Sequence, residues 1–121
     1  QTALDHAISQ FRPAQTLSLR TAGAHAAAWC AWDGNLVAIR EDVGRHNALD
    51  KLLGWQSLNT PEGFVLVSSR ASYEMVSKCV VASVGVLAAM SAPTSMAIQS
   101  AKTANLNLLA FTSTGRHARY S

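Results

Sequence analysis

The chain has 121 residues, 49% of them hydrophobic and 14% charged, with a formal net charge of +3 and a pI near 9.2. That length suits a single core and the composition excludes disorder, while no apolar run reaches the roughly twenty residues of a membrane-spanning helix. The arginines are scattered at Arg12, Arg20, Arg40, Arg45, Arg70, Arg116 and Arg119 without interleaved aromatics, which argues against nucleic acid and for an anionic small molecule or an acidic partner.

Leu4, Ala7, Ile8 and Phe11 recur at helical spacing and predict a helix over Ala3–Phe11 that Pro13 ends. His25–Trp32 and Asn35–Glu41 read as strands joined at Asp33-Gly34, a hairpin signal that calls for positive φ at both turn positions. From Gly44 onward Ala48, Leu49, Leu52 and Leu53 share the face of a short helix that Gly54 closes. Phe64–Val67, Val86–Met90 and Leu106–Phe111 are short, almost wholly apolar runs, as parallel strands buried on both faces require. Helix patterns separate them at Ala71–Val84, with Tyr73, Val76, Val80 and Val84 on one stripe, and at Pro93–Ala104, with Pro93 in the first turn. The expected fold class is α/β: a three-layer mixed sheet of about five strands, an antiparallel hairpin then three parallel strands, with helices on both faces of a single domain.

Ligands of open α/β sheets bind beyond the C-terminal strand ends, where helices begin. The polar residues of this chain gather at such turns: Arg40 to Asn47, Ser68 to Ser72, Ser91 to Ser95 and Thr112 to Arg116. A single Ser or Thr there is a helix cap worth about 1 kcal/mol. Four such turns carrying Arg45, Arg70 and Arg116 point to a shared anion site, in which Ser69 and Ser91 also fall. Gly44 and Gly115 each precede an arginine and either allow close approach of a ligand or make plain turns. His46 either donates to a phosphate, acts as acid or base, or is structural, and His25 opens a strand that faces the same edge or is a satisfied structural histidine. Cys30 and Cys79 have neither C-x-x-C nor zinc-finger spacing and read as buried free thiols of a reducing cytosol. No Walker A loop, G-x-G-x-x-G, G-x-S-x-G, H-E-x-x-H or deaminase zinc signature occurs, so no metal site is expected.

Arg40 to Lys51 (REDVGRHNALDK), Ser68 to Val76 (SSRASYEMV), Val86 to Thr94 (VLAAMSAPT) and Gly115-Arg116 with Tyr120 together resemble the FdhD family, the formate dehydrogenase accessory proteins also called sulfur carriers. The resemblance runs from about Thr21 to the C-terminus. Ala22 stands where the family usually has a second glycine, and residues 1–20 match loosely. It implies a cytoplasmic, homodimeric protein with a cytidine-deaminase-like fold. Such a protein accepts sulfur from a cysteine desulfurase and passes it to the molybdenum cofactor, bis-molybdopterin guanine dinucleotide, before insertion into formate dehydrogenase. Guanosine diphosphate is the implied surrogate ligand. The resemblance assigns Phe111, Thr112, Ser113, Thr114, Gly115 and Arg116 to cofactor binding, with Gly44, Arg45, His46, His25, Ser69, Arg70 and Ser91 on the surrounding loops.

The family carries its persulfide on a Cys-x-x-Cys loop that would precede residue 1, and neither Cys30 nor Cys79 matches it. The chain also lacks an initiating Met and a basic-then-apolar leader. The expectation is therefore the C-terminal domain of a longer protein, with no catalytic residue of its own, that binds without transferring. Two other readings are a self-contained nucleotide hydrolase or transferase using His46 as base and Asp42 as its orienting partner, and a scaffold that docks formate dehydrogenase through the basic edge.

Overall fold

The computed structural model describes residues 2–14, 24–59, 61–111 and 117–120. The chain divides into two compact units, Gln1–Gly63 and Phe64–Ser121.

In the first unit, α1 (Thr2–Ala14) buries Leu4, Ala7 and Phe11, one residue per turn of the expected apolar face. It runs past Phe11 and through Pro13. A proline in the last turn removes one backbone donor but leaves little helix beyond it to break. Strands β1 (His25–Cys30) and β2 (Leu36–Asp42) pair antiparallel from His25 opposite Asp42 to Trp29 opposite Ala38, with a bulge before Cys30. The hairpin expected from Asp33-Gly34 is present, but its turn is of another type. The Gly34 N–H donates to the Ala31 carbonyl at 2.8 Å, Ala31 N–H to the Asn35 carbonyl at 2.9 Å, and of the two expected positions only Gly34, at φ +93°, is left-handed. Asp33 instead accepts from the Asn35 N–H at 2.9 Å, closing an Asx turn that fixes the loop without a second positive φ.

α1 guards the start of β2. The Gln10 amide donates to the Gly34 carbonyl at 3.0 Å and accepts from the Leu36 N–H at 3.1 Å, completing a two-bond pairing that a neighbouring strand would otherwise make. α2 (Arg45–Asn59) buries Ala48, Leu49 and Leu52 but does not stop at Gly54. Glycine costs a helix about 1 kcal/mol relative to alanine, and that penalty alone does not end a helix whose φ stays negative. Behind it, Trp29 is 3% exposed, donates through Nε1 to the Glu62 carbonyl at 3.1 Å and packs at 6.4 Å and 53° against Trp55.

In the second unit, β3 (Phe64–Arg70), β4 (Val86–Ser91) and β5 (Asn107–Phe111) are parallel neighbours, as expected, and a short β6 (His117–Arg119) pairs antiparallel with β5. Val65, Leu66, Leu87, Ala88, Ala89 and Leu108 are buried along these strands. Each large side chain so buried contributes about 1.5–3 kcal/mol.

α3 (Tyr73–Val81) and α4 (Ser95–Ala104) are shorter than their patterns suggested. Ser83 takes a left-handed φ of +62° and the Val84 N–H folds back to the Cys79 carbonyl at 2.8 Å, ending α3 in a hydrogen-bonded C-terminal turn. It buries Met75, Val76 and Cys79; of the expected stripe Val76 and Val84 are buried, whereas Tyr73 and Val80 are exposed. Met75 and Cys79 lie four apart and are as apolar as the stripe expected from Tyr73, Val76, Val80 and Val84, so periodicity alone leaves two faces open. Pro93 lies before the N-cap of α4 rather than in its first turn, because the Thr94 hydroxyl takes the cap.

Candidate functional site

In the first unit the charged segment lies where the hairpin hands over to α2. Gly44 is left free of left-handed strain; its role is to follow Asp42, whose Oδ1 accepts the Gly44 N–H at 2.9 Å, and to open α2 by accepting from the Ala48 N–H at 3.0 Å. Lys51, two turns into the helix, returns its ammonium to Asp42 Oδ2 at 2.8 Å and to the Glu41 carbonyl at 3.1 Å. The Lys51 hydrogen bond first, and the Gly44 N–H second, hold the Asp42 carboxyl down at about 2, below the usual carboxylate range. Arg45 is exposed and His46 half-buried in the first turn of α2, and His25 is half-buried opposite Asp42 in the strand register, so all three share one end of the hairpin.

Asp42 is thus engaged in holding the start of α2, a role the sequence reading gave to no residue; Lys51, nine positions on, carried the available signal. Its lowered pKa gives a stabilisation fully present above about pH 4 and lost as pH falls toward 2, because protonation must break these bonds. Lys51→Met is expected to return the Asp42 pKa upward toward the ordinary carboxylate range. A carboxyl-carbon NMR titration reads the shift directly, and an unchanged value would remove Lys51 from this account.

In the second unit two loops meet at the C-terminal ends of β3 and β4. Ser69 and Arg70, expected in a turn, belong to the end of β3, and Ser91 closes β4 directly opposite Arg70. Ser69 is buried, its hydroxyl donating to the Arg70 carbonyl at 3.1 Å and lying 3.9 Å from the Met75 sulfur. The exposed Arg70 donates Nε–H to the Ala92 carbonyl at 2.8 Å, and the Thr94 N–H donates to the Ala71 carbonyl at 3.1 Å. Ser72 and Thr94 cap α3 and α4, accepting the N–H groups of Met75 at 3.3 Å and Ala97 at 3.1 Å. Sequence reasoning placed these hydroxyls at helix starts but could not find the Ala92 carbonyl, since a backbone acceptor carries no residue signal.

β5, parallel to β4, ends at Phe111 on the same side of this sheet. Thr112, Ser113, Thr114, Gly115 and Arg116 lie outside the described residues, as does the Phe111 side chain. Both cysteines are free and buried, and burial pushes each thiol up to about 12. Among the described residues no group of three or more His, Cys, Asp or Glu could hold a metal ion, and no helix is long and apolar enough to cross a membrane. On the helical side of the unit, α3 and α4 flank an open apolar groove of about 770 Å³ that includes Tyr73, Val80, Val81, Met96 and Gln99.

The strand ends of this parallel sheet bring together an arginine and two capped helix starts, at the edge where open α/β sheets take their ligands. The sequence model of the FdhD/NarQ family matches residues 1–121, and the chain belongs to that family. It is 50% identical over 123 residues to the sulfur carrier protein FdhD of Bordetella petrii, covering 99% of this chain and 44% of that protein. The sulfur carrier protein FdhD of Acinetobacter baylyi is 49% identical over 118 residues, covering 95% and 43%. The chain thus spans less than half the length of these relatives. A crystal structure from Desulfotalea psychrophila, assigned as a formate dehydrogenase accessory protein, superimposes with a TM-score of 0.91 at 26% identity, covering 99% of this chain and 53% of that one.

Proposed function

We propose that this chain is the cofactor-holding part of a formate dehydrogenase sulfur carrier. In that role it receives the guanine-nucleotide arms of bis-molybdopterin guanine dinucleotide as cargo while sulfur from a cysteine desulfurase is passed to the molybdenum. The reading places the protein in the cytoplasm, as the C-terminal domain of a longer chain with a cytidine-deaminase-like, three-layer fold and the persulfide cysteine on a Cys-x-x-Cys loop outside residues 1–121. Family membership over the whole chain carries the reading. The chemistry of the strand-end residues supports it, since an arginine beside capped helix starts suits phosphate and offers nothing for sulfur transfer.

Guanosine diphosphate at a hundredfold excess over its Kd is expected to stabilise the chain by about 2.7 kcal/mol, a rise of several degrees in Tm. Arg116→Ala is expected to abolish the rise. No shift with any guanine nucleotide would sink the proposal. The rival hydrolase reading gives His46 the role of base with Asp42, which accepts from Lys51 and the Gly44 N–H, as its orienting partner; product formation from a nucleotide panel, lost in His46→Ala, would favour that reading instead.

The same reading makes the protein a homodimer. None of the groove residues on α3 and α4 is charged, in a chain of net charge +3, so two copies can meet there without burying like charges. Sedimentation equilibrium should then show a dimer that Val81→Lys converts to monomer, and a dimer indifferent to that change would move the interface elsewhere.

A further inference from the structure

We propose that Arg70 reads a phosphate group through a guanidinium whose direction is set by the Ala92 carbonyl, and that Thr94 is the positioning residue holding that carbonyl in place. The inference rests on the reading of this chain as a holder of nucleotide-bearing cargo, and names how one residue of that site is aimed. A guanidinium has five N–H donors in a planar fork. Here the Nε–H is spent on the Ala92 carbonyl at 2.8 Å, which fixes the plane of the fork and leaves the recognition of an anion to its Nη end. An exposed arginine would otherwise lose its rotamer freedom on binding, and a tether that already selects one orientation reduces that loss.

The tether is half of a reciprocal clip. Arg70 ends β3 and Ala71 follows it, Ala92 and Thr94 follow β4, and each pair gives one donor and one acceptor: Arg70 Nε to the Ala92 carbonyl, and the Thr94 N–H to the Ala71 carbonyl at 3.1 Å. Between Ala92 and Thr94 stands the buried Pro93, whose ring fixes φ and which has no N–H to compete for either acceptor. Thr94 is held three times over. Its N–H is on Ala71, its hydroxyl accepts from the Ala97 N–H at 3.1 Å, and its carbonyl accepts from the Ile98 N–H at 3.1 Å. The carbonyl that aims Arg70 is therefore anchored to the first turn of α4 on one side and to the end of β3 on the other.

Calorimetric titration of the 121-residue chain with pyrophosphate, guanosine diphosphate and guanosine tests this, using Arg70→Lys, Thr94→Val and Thr94→Ser. Lysine keeps the charge but has one terminal nitrogen, which cannot both hold Ala92 and present a fork. Arg70→Lys is therefore expected to weaken pyrophosphate and guanosine diphosphate about tenfold or more while leaving guanosine unchanged. Thr94→Val, lacking the capping hydroxyl, should weaken both phosphates several-fold, and Thr94→Ser should restore them. Wild-type pyrophosphate affinity in Arg70→Lys overturns the fork. A lower Tm with unchanged phosphate affinity in Thr94→Val overturns the positioning role, and if that variant fails to fold, the Arg70→Lys comparison decides. Pyrophosphate binding that depends on Arg70, with no gain from the guanosine moiety, would uphold the fork and remove the guanine-nucleotide reading instead.

Discussion

Gly63→Ala is expected to lower the Tm of the chain by about ten degrees or more. Gly63 has a φ of +143°, and a Cβ there would run into the Cys30 carbonyl oxygen and stand 2.9 Å from the Trp29 indole nitrogen. The backbone strain alone costs roughly 1–3 kcal/mol, and forcing atoms into a packed site about 1–3 more. Neither obstacle can yield cheaply. The Cys30 carbonyl belongs to β1, and the Trp29 indole is held by the Glu62 carbonyl and Trp55. Against a total stability of about 5–15 kcal/mol for a domain, such a loss is a large share. Thermal unfolding followed by tryptophan fluorescence reads it directly, since Trp29 and Trp55 report on the affected corner. A Tm within two or three degrees of wild type, on the same scale of a few degrees per kcal/mol, would show that this backbone relaxes.

Nothing in the sequence singles out Gly63, and the reason is general. The turn at Gly34 is announced by Asp33 beside it, because an Asx turn is a local signal that two adjacent residues carry. The need for glycine at Gly63 comes from Cys30, thirty-three positions away, and no window of neighbouring residues contains it. The same division runs through the rest of the fold. The hairpin and the three parallel strands are legible because alternation, short apolar runs and turn residues are local. The buried face of α3 is not, since two apolar faces compete and packing chooses between them. The three residues of β6 are too few to carry a period.

The strand-end residues divide in the same way. Arg70, Ser69 and Ser91 stand out in the sequence from their places after apolar runs, and Arg70 lies opposite Ser91 in the strand register. How Arg70 is aimed was not readable, because its partner is a backbone carbonyl. Asp42 shows the converse: its charge beside His46 suggests an orienting partner for that histidine, whereas the bonds it makes to Lys51 and the Gly44 N–H anchor the start of α2. Charge in a sequence marks a position of interest without revealing which neighbour it serves.

Cys30 and Cys79 are expected to take up no transferable sulfur when the chain is incubated with a cysteine desulfurase and cysteine. Persulfide formation needs a thiolate with access to the donor. Both side chains are 0% exposed, and burial pushes both thiols up to about 12. At pH 7.5 a thiol raised so far is ionised far less often than an unperturbed thiol at about 8.5. Reactivity is therefore suppressed before access is considered, and lack of access suppresses it further. Intact-mass spectrometry should find neither cysteine enlarged by a sulfur atom, while unfolding in denaturant should make both react with a thiol reagent at once. The sign of the pH dependence follows from the same burial. The unfolded chain releases these protons above about pH 8.5 and the folded chain holds them, so stability should fall as pH rises past that point. Stable sulfur loading on either residue of the folded chain, followed by its transfer, would show that the chain carries its own sulfur and would overturn the division of labour proposed for it.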